Sequence, residues 1–316
     1  MRVHILGPKD LLQSLLYVGA VAMFFIVAGF NLKKPQDTKA AIRNKFLRLL
    51  VPYFLYSFVL LIIEHRLTFD TLIQIMGIFY GRMSLFRENV DGNTSFLLIG
   101  NAPMWFLPCM FLSYLWVYLI YFRCKTSIQK YSVGILFTDF SAILYFSPLM
   151  LPWSIDTSFL FAVLIIAGYE LRDFFIQCKI HYIAITLVLW FVLYHFFAGS
   201  NISIGSYGKF GVYSIIPFAM IALCETYTLS GILQHIENTW IVKAIAYVGK
   251  HSLRLMCIHL VISMRIVPML ANVGVPLSND SYASLILLLG IILCIDAIIE
   301  IVMRRMKHRF AIAKYL

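Results

Sequence analysis

Residues 181–198 read HYIAITLVLWFVLYHFFA, eighteen positions with no lysine, arginine, aspartate or glutamate. A run of this length spans about 30 Å of hydrocarbon as a helix, the form in which a chain satisfies its own backbone hydrogen bonds without water. Eight further runs of the same kind lie on either side, at 11–30, 46–63, 104–121, 132–151, 157–170, 207–228, 252–271 and 283–303. The 157–170 run is short and takes a residue or two more at each end. The composition agrees: 61% hydrophobic and only 13% charged residues, with a mean hydropathy of +0.85, leave too little charge to clothe a surface in water. The expected fold is all-α, a polytopic membrane helix bundle. No hydrophilic segment is long enough for a separate soluble domain and no internal repeat is visible, so residues 1–316 are expected to form one integral-membrane domain.

The net charge of +11 would suggest nucleic acid in a soluble protein, but its placement argues otherwise. Lys33, Lys34, Lys39, Arg43, Lys45 and Arg48 share one connection; Arg123, Lys125 and Lys130 a second; Arg172 and Lys179 a third; Lys243, Lys250 and Arg254 a fourth; Arg304, Arg305, Lys307, Arg309 and Lys314 the C-terminus. These are alternate connections, and the others hold few cations. By the positive-inside rule this side, C-terminus included, is cytoplasmic, and the partner is the lipid bilayer rather than nucleic acid. Nine spans with a cytoplasmic C-terminus put residue 1 outside, although nothing in the sequence would carry it there. The expectation is therefore a tenth helix upstream, its outer end surviving as the stub MRVHILGPKDLLQ at 1–13. The polar connection 64–103 holds the weakly apolar LIQIMGIFYG and reads as an external cap or interfacial helix. The six cysteines form no CxxC pair and read as small buried hydrophobes, and no set of histidines and carboxylates has metal-ligand spacing.

Four stretches carry possible chemistry, each beside a plainer reading. In MFFIVAGFNLKKPQDTKAAIRNKFLRLLVPYFLYS, residues 23–57, Pro52 suits a helix start, and the basic loop either sets topology or places Lys45 and Arg48, three apart, to bind phosphates. In NAPMWFLPCMFLSYLW, residues 101–116, Trp105 is either an interfacial anchor or a platform for a sugar ring. In LPWSIDTSFLFAVLIIAGYELRDFF, residues 151–175, Asp156 either meets the start of a helix or bonds a substrate hydroxyl. In VGKHSLRLMCIHLVISMRIVP, residues 248–268, His259 and Arg265 lie inside a span and face either plain packing or a polar interior. Asp139, Glu225, Asp296 and Glu300 are further polar positions in or near spans, and the sequence alone does not pair them with Arg265.

Together these stretches resemble the acyltransferase-3 superfamily of multi-span membrane proteins, in particular its branch similar to fucose 4-O-acetyltransferases. The resemblance rests on Phe24, Phe25 and Gly29; Lys45, Arg48, Pro52 and Tyr53; Trp105 to Leu107; Pro152 to Thr157 with Gly168 and Tyr169; and Gly249, Lys250, Ser252, Leu253 and His259, in order along nearly the whole chain. It implies ten helices, the first ending in a catalytic histidine about twenty residues before the aromatic run. His4 stands twenty residues before Phe24. The stretch VGAVAMFF departs from the family by lacking the histidine often found there.

The resemblance implies O-acylation of a sugar or glycan hydroxyl at a bacterial inner membrane, with acetyl-CoA or another acyl-CoA as donor substrate and no bound cofactor. His4 would take the proton of the attacking alcohol, its imidazole having an ordinary pKa of about 6.5. Lys45 and Arg48 would hold the donor's phosphates; Trp105, Asp156, His259 and Arg265 would hold the acceptor or line its path. The other readings are a carrier or flippase for a lipid-linked glycan and a catalytically inactive family member.

Overall fold

A computed structural model describes residues 11–64, 69–82, 85–86, 102–197, 202, 208–237, 239–272 and 282–307. Helices form at every long apolar run: α1 (Leu11–Phe30), α2 (Thr38–Lys45), α3 (Val51–Glu64), α4 (Phe69–Tyr80), α5 (Phe106–Leu119), α6 (Ser127–Leu144), α7 (Ile155–Glu170), α8 (Arg172–Ile176), α9 (Ile180–Phe197), α10 (Ile215–His235), α11 (Trp240–Lys250), α12 (Ser252–Asn272) and α13 (Tyr282–Lys307). There is no β-strand among the described residues, only an isolated bridge between Phe86 and Leu149. The protein is an all-α membrane helix bundle. Among the described residues five helical stretches are long and apolar enough to cross a membrane: Thr38–Ile62, Pro103–Arg123, Pro152–Glu170, Ile180–Phe197 and Phe210–His235.

Three expected boundaries move. The run 132–151 becomes α6, which starts earlier because Thr126 and Gln129 form a reciprocal capping box. The run 207–228 becomes α10, shifted toward its C-terminus behind a 3-10 segment at Gly208–Ser214. The expected helix start near Pro52 is instead a widened turn inside a continuous helix. Phe46–Leu50 is π-helical, and the Val51 N–H donates to the Phe46 carbonyl five residues back. Proline has no N–H and its ring crowds the carbonyl four residues earlier, so one wide turn admits Pro52 without breaking the rod.

α1 lies at the centre, against α7 on one side and α10 on the other. It runs parallel to α7: Phe25 stacks on Phe161 with centroids 4.1 Å apart, and Gly29 lies against Ile165 further along. The crossing depends on two glycines. A Cβ on Gly168 would stand 2.0 Å from the Ile26 carbonyl, and one on Gly29 would stand 2.2 Å from the Ile165 carbonyl. Two of the residues that carried the family resemblance therefore bring backbones together, as small residues do between membrane helices. α9 pairs antiparallel with α10, and α12 with α13. α9 is largely exposed on its other face, so the stretch that announced a membrane protein presents mostly apolar side chains outward.

Candidate functional site

The cap and two helix starts build one polar centre. α4, part of the expected cap, is tied to the bundle by three bonds to backbone carbonyls. Tyr53 donates to Ile78 (2.6 Å), Tyr80 to Met150 (2.7 Å) and the Trp153 indole to Phe79 (2.8 Å). Gly81 ends α4 with φ +68, a left-handed turn open to glycine, and a Cβ there would be 2.8 Å from the Trp153 ring. The turn sends Arg82 inward, where it is 2% exposed. Its Nη1 donates to Ser154 Oγ (2.7 Å) and its Nη2 to Asp156 Oδ2 (2.9 Å). Arg82 Nε has no acceptor among the described residues.

Trp105 completes the centre. The Arg82 guanidinium carbon lies 5.7 Å from its ring centroid, a cation–π approach, and the indole is enclosed by Phe106 and Phe161. At 5% exposure Trp105 does not face lipid headgroups, so the interfacial-anchor reading gives way to a buried aromatic wall. Asp156 stands fully buried in the first turn of α7, so its charge meets both the helix dipole and Arg82. Ahead of it Trp153 (φ 53) and Ser154 (φ 60) are consecutive left-handed residues, a conformation that costs about 1–2 kcal/mol per non-glycine residue. Such strain persists where surrounding structure over-determines it and gathers at functional sites. The turn aims the Ser154 hydroxyl at Arg82 and starts α7 where Asp156 meets the same guanidinium.

A second cluster lies further along, between α12 and α13. Arg254 Nε and Nη2 grip Asp296 Oδ1 (2.5 Å) and Oδ2 (3.0 Å), Nη1 reaches Glu300 Oε2 (2.5 Å), and Nη2 also donates to His251 Nδ1 (2.8 Å). Arg254, counted from sequence among loop cations, is buried. Asp296 and Glu300, left without a partner by the sequence, both bond Arg254.

Of the other expected site residues, Lys45, Arg48 and His259 have described side chains. Lys45 sits with its ammonium 3.6 Å from the Tyr114 ring centroid, half-buried, whereas Arg48 is exposed on the π-helical turn. The turn that joins them is π-helical, so their spacing of three is not that of a regular α-helix. His259 lies within α12 and its Nδ1 bonds the Leu255 and Met256 carbonyls of its own helix (3.0 Å each), so Nδ1 carries the proton there. Arg265 belongs to α12, and its side chain lies outside the described residues, as does His4. Of the seven, the structure brings Trp105 and Asp156 together.

The residue that joins them, Arg82, was missed because a loop cation is ordinarily a solvated one. The usable signal was glycine directly before arginine after an apolar run, with a proline-led turn and an unmatched aspartate later in the chain.

A helical bundle with spans of membrane length and a buried ionic centre beside an aromatic wall defines a polytopic membrane protein with a polar interior. A family model described as an acyltransferase domain, acyltransferase-3, matches residues 3–299, and the chain belongs to that family. It is a membrane acyltransferase. No curated protein and no solved structure matches the chain significantly.

Proposed function

We propose that this protein transfers an acetyl group from acetyl-CoA to a hydroxyl of a cell-surface or lipid-linked sugar, in the manner of the fucose 4-O-acetyltransferase-like branch. It would do so at a bacterial inner membrane with its C-terminus in the cytoplasm. The observation that carries the acceptor half is the buried Arg82–Asp156 pair beside Trp105. An aromatic face with a charged donor and a charged acceptor is the chemistry that holds a sugar: the ring supplies apolar area and the ions bond hydroxyls. The Arg82 nitrogen with no acceptor among the described residues supplies a donor for that purpose.

The donor half rests on the basic segment around Lys45 and Arg48, which packs on α5 at Phe111 and Tyr114, further along that helix than Trp105. Charge-assisted bonds there would hold the phosphates of acetyl-CoA, and its pantetheine arm would carry the thioester inward. His4, which lies outside the described residues, would accept the alcohol proton as the oxygen attacks the thioester carbonyl. The C–S bond breaks, the proton passes to the departing CoA thiolate, and the products are the O-acetyl ester and CoA thiol. His259 and Arg265, in α12, are assigned to the acceptor and its path to the donor.

Membranes carrying the protein, given acetyl-CoA labelled in the acetyl group, are expected to place label in glycan. His4→Ala should abolish that transfer. Trp105→Ala and Asp156→Asn should raise the acceptor KM at least tenfold, and Lys45→Ala the acetyl-CoA KM. A carrier of lipid-linked glycan would move glycan without incorporating acetyl label and would tolerate His4→Ala, which would overturn the proposal.

A further inference from the structure

Two further buried polar groups have no hydrogen-bond partner among the described residues. Glu225, in the middle of α10, is fully buried, and neither carboxyl oxygen has a hydrogen-bond partner among the described residues. Trp190, in α9, is 5% exposed, and its indole N–H has no acceptor among them either. Buried polar groups left unbonded are rare enough that each calls for an explanation. An ionisable group in the middle of a membrane helix marks a functional site by default.

The helix register puts the two groups at one level. α9 and α10 run antiparallel, with Ile183 packed on Gly231 and the Thr186 and Thr228 hydroxyls 2.9 Å apart. Trp190 is four residues beyond Thr186, about 6 Å along the axis, and Glu225 is three before Thr228, about 4.5 Å in the same direction. The third wall is α1. The Glu225 carboxyl lies directly on Gly19, where a Cβ would come within 1.8 Å of Oε2, and the Ala222 backbone stands beside it. Gly19 thus makes room for a carboxyl at the meeting of three helices. The two groups do not bond each other, since neither has a hydrogen-bond partner among the described residues.

We infer that Glu225 and Trp190 form an intramembrane site for a hydroxyl group, whose oxygen accepts from the Trp190 N–H and whose proton is donated to Glu225. The chemistry selects this ligand. A cation would satisfy the carboxyl and leave the indole unbonded; an anion would do the reverse; a carbonyl has no proton to give. A hydroxyl does both at once. Water and the alcohol of an acyl acceptor share that chemistry, and only the second source rests on the acyl-transfer reading above.

Infrared difference spectra of the full-length protein in lipid nanodiscs, wild type minus Glu225→Gln, isolate the carboxyl band of Glu225. Trp190→Phe and Gly19→Ala are each expected to shift that band, the first by releasing the shared hydroxyl and the second by displacing the carboxyl. Among the five tryptophans, one ¹⁵N-indole NMR resonance is expected to move in Glu225→Gln, a reading that stands even where Trp190→Phe does not fold. A saturable band shift on adding methyl glucoside identifies an alcohol as the occupant, and a water O–H stretching band that moves in H₂¹⁸O and disappears in Trp190→Phe, with no response to the glycoside, identifies water. A Glu225 band unmoved by Trp190→Phe, or five indole resonances unmoved by Glu225→Gln, overturns the site. None of these spectra depends on turnover, so failure of the acyl-transfer assay leaves the test standing.

Discussion

Two arginines in this bundle are withdrawn from solvent and then treated in opposite ways. Arg254 finds an acceptor for each guanidinium nitrogen, from Asp296, Glu300 and His251. Arg82 has Ser154 and Asp156 on its two terminal nitrogens, an indole beside its plane, and a third nitrogen with no acceptor among the described residues. A saturated guanidinium locks two helices together and has little left for a ligand. One with a donor to spare, pinned by a strained turn, keeps a nitrogen for the acceptor that the proposed reaction requires. Buried pairs add little net stability over apolar residues of the same shape, yet removing one member is costly because the other charge is stranded. That asymmetry separates a lock from a binding site.

The largest effect is expected at the lock. Arg254→Met strands two carboxylates between α12 and α13 and should cost about 3–5 kcal/mol, read as a fall in the thermal unfolding midpoint in detergent. Adding Asp296→Asn and Glu300→Gln to the same protein should recover most of that midpoint, and acyl transfer with it. If stability returns and activity does not, Arg254 has a chemical role and the contrast with Arg82 fails.

At Arg82 the same experiment should divide differently. Arg82→Met strands one carboxylate and should cost about 3 kcal/mol, the lower end for a broken buried pair. Combining it with Asp156→Leu should restore the midpoint while acyl transfer stays at least a hundredfold down. Recovery of activity in the double variant would make this centre a second lock.

How far this contrast was legible beforehand follows from what each signal reports. Hydropathy reports burial summed over a span, so it gave the all-α membrane bundle and located a helix at each apolar run. It was silent on tertiary pairing. Trp105 and Asp156 stood out because an aromatic and an acid at helix starts are unusual, but Arg82 and Arg254 looked like ordinary loop cations until Gly81 and the α12–α13 pairing turned them inward. Gly29 and Gly168 were visible as motif residues, and only the helix crossing shows that they serve packing. The π-helical turn at Phe46–Leu50 is a local answer to Pro52 that a regular helical spacing of Lys45 and Arg48 does not anticipate.

A smaller perturbation probes the Arg82 centre without touching charge. Gly168→Ala drives a methyl against the Ile26 carbonyl, so α7 must move away from α1 and carry Asp156 with it. Overpacking of this kind costs about 1–3 kcal/mol. Acyl transfer should fall further than it does in a surface variant of equal stability loss, whereas the Arg254 cluster, on other helices, should be unaffected. Equal losses in both proteins would mean that the position of Asp156 does not matter to the chemistry.

The smallest effect is expected at the strained turn, where two contributions oppose. Ser154→Gly relieves a left-handed serine, worth about 1–2 kcal/mol, and removes a hydroxyl bonded to a charged donor, worth about 1.5–3 kcal/mol. The net stability change should therefore be a loss of about 1 kcal/mol. Activity separates the two: a protein of near-normal stability with a raised acceptor KM means that the serine was retained to orient Arg82. The Arg254 cluster provides the control, since His251, its own accessory ligand, can be changed to alanine with no expected change in acceptor KM. If His251→Ala and Ser154→Gly raise that KM alike, an accessory bond does not distinguish a binding arginine from a locked one, and the Arg82 nitrogen with no acceptor among the described residues becomes the sole basis for the distinction.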